Sequence, residues 1–217
     1  MEILTDFQEE ILRKISETEL KDIFCLTEGT ALSAFYLRHR LSEDLDFFTE
    51  VPDAVSRVLP VLERIAADLS AKVVVRCEFR TFLEAHIEAG PEIVRIDFAL
   101  DSPYRLEPVR RFPPWDVAVD NPTDIACNKL SALFDRADPK DFIDVFFIDR
   151  EILPLPRLIG IARKKHVGMD DYWLAVAFSK AATLSILPRM IRPVTVEELQ
   201  FFFAAAANRL LEGIGKA

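Results

Sequence analysis

The chain has 217 residues, half of them apolar and 29% charged, which suits one large globular domain or two small ones and requires no disulfide or metal to hold a core. Its net charge of −9 argues against a protein that coats nucleic acid with a broad basic face, though not against a local basic patch. Cys25, Cys77 and Cys127 lie far apart with no Cys-x-x-Cys pair, so neither a zinc site nor a disulfide framework is expected. No apolar run reaches the roughly 18 residues of a membrane helix. The acidic start Met1-Glu2-Ile3-Leu4-Thr5-Asp6 lacks a signal-peptide layout, so a cytoplasmic protein with no membrane partner is expected.

In chain order, Ile3, Phe7, Ile11, Ile15 and Leu20 recur near helical spacing, predicting a helix within 3–20. Asp22 to Thr27 reads as a short buried strand, broken by Gly29-Thr30, and Ala31 to His39 as a helix. Leu45 to Phe48 reads as a second strand and 53–70 as a helix with Val55, Val58, Leu62 and Ile65 inward. Three strands follow, Val73 to Phe79, Phe82 to Glu88 and Ile93 to Leu100, the last two joined by the turn Ala89-Gly90-Pro91. Pro103 to Pro122 is rich in proline and arginine and reads as a connection. Helices are expected near 123–135, 140–149, 155–165, 170–183 and 195–213, the last opening on Thr195 and Glu198 at capping-box spacing. An α/β half over 1–102 thus precedes a helical half over 103–217, and a cleft between such halves is a common place for a ligand.

Asp44 and Asp46 flank Leu45, so on a strand both carboxylates share one face while Leu45 and Phe47 turn to a core. Two carboxylates so close repel each other unless a cation neutralises them, and hard oxygen donors suit Mg²⁺. In Val94-Arg95-Ile96-Asp97-Phe98-Ala99-Leu100 the apolar residues alternate with Arg95 and Asp97. Asp97 is therefore a candidate third acid, able to complete a metal site and take the proton of an attacking hydroxyl. Gly29-Thr30, after a strand and at the start of a helix, could receive phosphate on free backbone N–H groups. Each feature alone has a bland reading, as a solvated strand-edge aspartate or an ordinary helix cap.

Together they are more specific. The polymerase β-like nucleotidyltransferase superfamily has a Gly-[Gly/Ser] pair, then about 9–13 residues, then an apolar-flanked Asp-x-[Asp/Glu] and a third acid on a later strand. Thirteen residues separate Gly29-Thr30 from Asp44. The stretches Glu28-Gly29-Thr30-Ala31-Leu32 and His39-Arg40-Leu41-Ser42-Glu43-Asp44-Leu45-Asp46-Phe47-Phe48 resemble the AbiEii/AbiGii toxin family of nucleotidyltransferases more closely. Glu28 departs from that family's first glycine or small residue. A second block, Lys129-Leu130-Ser131-Ala132-Leu133, Arg136 and Asp141-Phe142-Ile143-Asp144-Val145, also matches the family's order.

The resemblance implies an α+β fold, with an N-terminal polymerase β-like nucleotidyltransferase mixed sheet flanked by helices and a C-terminal helical region completing the active-site cleft. It implies metal binding by Asp44, Asp46 and Asp97 and triphosphate contacts from Gly29 and Thr30. Lys129 would reach NTP phosphates, and one of Asp141 and Asp144, with Asp141 favoured, would orient Lys129 or Arg136. Arg40 pairs a phosphate or is a solvated loop residue; Ser42 bonds a phosphate or fixes its turn. The implied activity is Mg²⁺-dependent transfer of a nucleotide from an NTP to an acceptor such as tRNA or another RNA, by a toxin with a cognate antitoxin. Transfer to a small molecule and a catalytically silent NTP- or partner-binding module are the competing readings. Arg105, Arg110 and Arg111, with Arg157, Arg163, Lys164 and Lys165, are the basic clusters available to grip RNA, or else solvated helix ends and loops.

Overall fold

In a computed structural model, residues 3–102 and 104–215 are described; Met1, Glu2 and Pro103, used in the sequence reading, lie outside them. The chain forms two compact units, Met1–Tyr36 with Ser42–Asn121, and Leu37–Leu41 with Pro122–Ala217.

The first unit is built on a seven-stranded mixed sheet: β1 (Cys25–Thr27), β2 (Leu45–Thr49), β3 (Lys72–Phe79), β4 (Phe82–Ala89), β5 (Glu92–Leu100), β6 (Arg110–Arg111) and β7 (Ala118–Val119), in the order β3-β4-β5-β2-β1-β7-β6. β2 runs parallel to β5 and β1 parallel to β7; the other pairs are antiparallel. The β4–β5 hairpin closes on Ala89 opposite Glu92, with Gly90 at φ 60°, a conformation that favours glycine. Alternation sends Leu45 and Phe47, Leu83, Ala85 and Ile87, and Val94, Ile96 and Phe98 to one buried face. Phe47 stacks on Phe98 at 5.1 Å and Phe24 meets Phe98 edge-on at 5.0 Å. Two amphipathic helices, α1 (Asp6–Ser16) and α4 (Val58–Asp68), add Phe7, Ile11, Leu12, Ile15, Val58, Val61, Leu62 and Ile65 to this core.

Local differences from the sequence expectation have physical reasons. The predicted strand from Asp22 gives way to a one-turn helix, α2 (Leu20–Ile23), whose Leu20 is fully buried, and only Cys25–Thr27 pair in the sheet. The predicted helix from Ala31 is instead α3 (Glu28–Ala31) continuing as a π-helix over Leu32–Leu37. It stops at Arg38, whose φ of 50° turns the chain out of the helix. The segment read as a connection contributes β6 and β7. Two-residue strands among prolines carry too little alternation to be seen in sequence.

The second unit holds α5 (Pro122–Asp135), α6 (Pro139–Glu151), α7 (Leu155–Lys165), α8 (Asp171–Ser179) and α9 (Val196–Ile214). Its core includes Leu130, Leu133, Val145, Leu158, Leu174 and Leu199, with Phe203 edge-on to Phe142 at 4.9 Å and tilted on Phe178 at 5.3 Å. The excursion Leu37–Leu41 belongs here. Arg40 bridges Met190, Leu41 N–H donates to the Arg189 carbonyl at 2.9 Å, and Ile191 N–H to the His39 carbonyl at 2.9 Å. No helix among the described residues is long and apolar enough to cross a membrane.

Candidate active site

The polar face of the sheet carries a row of aligned residues. Thr27 on β1 stands opposite Asp46 on β2, Asp46 opposite Asp97 on β5, and Asp97 opposite Glu84 on β4. Period-two alternation puts these side chains opposite the core face. Asp46 is half-buried and Asp97 only 6% exposed. Asp44 is also half-buried, one residue before β2 begins. Glu84 was not foreseen: which strands become neighbours is set by topology, and single-strand patterning does not report it.

Arg95, two residues before Asp97 on the same face, donates Nε to Asp97 Oδ1 at 3.1 Å and Nη2 to Asp97 Oδ2 at 2.6 Å; Nη2 also reaches Glu84 Oε2 at 3.2 Å. Burial pushes the Asp97 carboxyl above its ordinary pKa, with Glu84 and Asp44 adding to it, against the opposing pull of Arg95. The bond to Asp97 chiefly holds the guanidinium protonated.

The approach to β2 is tied from two sides. The fully buried Thr30 hydroxyl donates to the Asp44 carbonyl, and the Gln8 amide donates to the carbonyls of Glu43 (3.0 Å) and Ser42 (3.4 Å). Thr30 thus has a positioning task besides any contact with phosphate. Glu28, where the resemblance places a glycine or small residue, has φ 57°, so the turn into Gly29-Thr30 adopts a glycine-type conformation despite its side chain. Beside this row, Thr27 donates to Asp120 Oδ2 at 3.0 Å, and Arg105 pairs with Asp120 and, at 3.1 Å, with Glu50. Burial pushes the Cys25 thiol up to about 12, so it is no ready nucleophile.

In the helical unit the two acids expected to share a face are both fully buried and have separate partners. Asp141 accepts from Arg136 Nε and Nη2, both at 2.8 Å. Asp144 is a hub: Arg40 Nε at 2.7 Å and Nη2 at 2.8 Å, His39 Nε2 at 2.8 Å, and Lys129 Nζ at 3.5 Å. The carboxylate beside Lys129 is therefore Asp144, while Asp141 orients Arg136. Arg40, 4% exposed, is no solvated loop residue; its fork is occupied by Asp144 and by the Leu41 carbonyl at 3.0 Å. Lys129 is itself 2% exposed.

Most of the basic residues proposed to grip RNA have acidic partners. Arg111 pairs with Asp22 and Asp116, Arg163 with Asp171, and Lys165 with the buried Asp124 at 2.6 Å. Among the described residues, no three acidic, histidine or cysteine side chains are drawn together as a bound metal would draw them.

Solved structures share this architecture at low sequence identity. A candidate nucleotidyltransferase from H. pylori is 17% identical, with TM-score 0.62 over 98% of both chains. MenT4, a nucleotidyltransferase toxin from Mycobacterium tuberculosis H37Rv, is 14% identical, with TM-score 0.59 over 94% of this chain and 85% of its own. The fold is that of the nucleotidyltransferases. The particular family follows from the sequence: the family model for the nucleotidyl transferase AbiEii toxin of the Type IV TA system matches residues 10–209, so the chain belongs to that family and is a nucleotidyltransferase. An uncharacterized protein of Aquifex aeolicus (strain VF5) is 31% identical over 169 residues, 75% of this chain and 76% of the relative.

Proposed function

We propose that this nucleotidyltransferase moves a nucleotide from an NTP to an RNA acceptor, tRNA foremost, in a Mg²⁺-dependent reaction, as the cytoplasmic toxin of a toxin–antitoxin pair. The observation that carries the reading is the in-register row of Asp46 and Asp97 on two parallel strands, with Asp44 beside it. Adjacent all-oxygen donors fit Mg²⁺, which takes one or two carboxylates and completes its shell with phosphate and water. Asp44, Asp46 and Asp97 would hold it, and when bound it would neutralise charge on the transferring phosphoryl group.

The protein's own groups do the rest. Gly29, Thr30 and Ser42 line the approach to β2 and are assigned to the triphosphate. Lys129, held by Asp144, supplies positive charge toward the phosphates; Asp141 fixes Arg136. Arg40 serves by fixing Asp144 rather than by meeting phosphate itself. The acceptor hydroxyl oxygen bonds to the α-phosphorus, the bond to the bridging oxygen breaks, pyrophosphate leaves, and the hydroxyl proton passes to a carboxylate of the row.

The internal pairing of Arg105, Arg111, Arg163 and Lys165 favours a second reading, a small-molecule acceptor. Incubation with each α-labelled NTP, Mg²⁺ and total RNA decides between them. Label in an RNA band that is lost in Asp46→Asn supports the RNA reading. Pyrophosphate release with label only in small species supports the other. No Asp46-dependent label in any product would overturn both.

A further inference from the structure

Arg95 has no part in the roles so far assigned, yet it holds both oxygens of Asp97. Its fork is shared with Glu84, the cross-strand neighbour of Asp97. The Arg95 side chain is 41% exposed while that of Asp97 is 9% exposed, so the arginine head can shift into water and the carboxylate cannot. Asp97 also faces Asp46 across β2–β5, and the charge of Asp44 reaches Arg95 as well. The guanidinium therefore supplies the positive charge that this cluster of acids requires.

We propose that Arg95 is a positioning residue that competes with the divalent cation for Asp97 and so sets the cation affinity of the site, with Glu84 as the second seat that keeps Arg95 on this face. The inference rests on the reading that Asp46 and Asp97 hold the cation. A guanidinium fork and a metal ion draw on the same carboxylate lone pairs, and their like charges repel at this distance. When a cation takes Asp97, Arg95 retains Glu84, so the arginine is displaced without losing every partner. Glu84 thus lowers the barrier to exchange, while Arg95 keeps Asp97 aligned beforehand.

The test is Mn²⁺ binding to the full-length apo protein, read as loss of the free-ion EPR signal, with no nucleotide present. Arg95→Met keeps the stem and removes the charge; it should tighten Mn²⁺ binding, opposite in sign to the loss seen when a residue that only supports a metal ligand is removed. Glu84→Gln should weaken binding, because Arg95 then rests on Asp97 alone. Arg95→Lys, which keeps the charge without the fork, should fall between wild type and Arg95→Met. Asp46→Asn marks the site. Wild-type binding that is lost in Asp46→Asn but unchanged or weakened in Arg95→Met would overturn this inference alone. Absence of any binding that depends on Asp46 would overturn the metal reading, and the inference with it.

Discussion

Asp46 is flanked in register by Thr27 on one side and Asp97 on the other. Asp46→Asn should therefore abolish nucleotide transfer while leaving the thermal melt unchanged or slightly raised, since a repelling carboxylate is lost. Full turnover in that variant would remove Asp46 from the site. Glu28 makes a different kind of prediction. At φ 57° a non-glycine side chain is strained by roughly 1–2 kcal/mol, and a β-branched one more. Glu28→Gly should melt at or above the wild-type temperature and Glu28→Val clearly below it; the reverse order would mean that the side chain, not the backbone, governs this turn. The Asp-x-Asp pattern was legible because alternation is local. Which cation each of Asp141 and Asp144 takes was not. The two acids lie one helical turn apart, and Arg40 arrives at Asp144 from 104 residues away.

Elements were legible where a local rule dominates. The β4–β5 hairpin followed from its Gly-Pro turn, and α9 from its cap: Thr195 Oγ1 accepts from Glu198 N–H at 3.1 Å and Glu198 Oε2 from Thr195 N–H at 2.8 Å. Thr195→Ala should cost about 1 kcal/mol in a denaturant melt with the m-value unchanged. The transfer of Leu37–Leu41 to the helical unit was hidden, because the pairing of His39 and Arg40 with Asp144 is long-range in sequence. Lys129 on α5 stands between the two cases: its helix was foreseen and its burial was not. If it stabilises phosphate charge, Lys129→Ala should lower turnover by orders of magnitude. Lys129→Arg should keep the ion pair with Asp144 without full rescue, because a planar fork differs from a point charge. Turnover in Lys129→Arg that matches wild type would reduce the lysine to a structural partner of Asp144.

Across the whole molecule the two units should respond oppositely to acid. Burial alone would raise the Asp144 carboxyl, but Arg40, Lys129 and His39 outweigh it and hold the carboxyl far below its ordinary range. A depressed folded pKa contributes stability that is complete above the unfolded value of about 3.9 and is lost as the pH falls toward the folded one. One proton bound by the unfolded chain and not by the native one costs about 1.4 kcal/mol per pH unit through that window. Asp97 has the reverse sign: its raised pKa disfavours the folded state as pH rises, so acid relieves the sheet unit there. Among the carboxylates held low in the sheet unit, Asp53 and Asp116 belong to ion pairs open to solvent and Glu88 pairs with an exposed Lys72, where screening leaves little to lose. Hydrogen exchange, corrected for intrinsic rate, should therefore show Pro122–Asp135, Pro139–Glu151 and Leu37–Leu41 losing protection below about pH 4 before β4 and β5 do. Asp144→Asn should be destabilised at neutral pH by about 3–5 kcal/mol, because it leaves buried cations without their counter-charge. Its remaining stability should then fall less steeply in acid than that of the wild type. Equal acid slopes in the two proteins would show that some other carboxylate controls the acid limit of the fold.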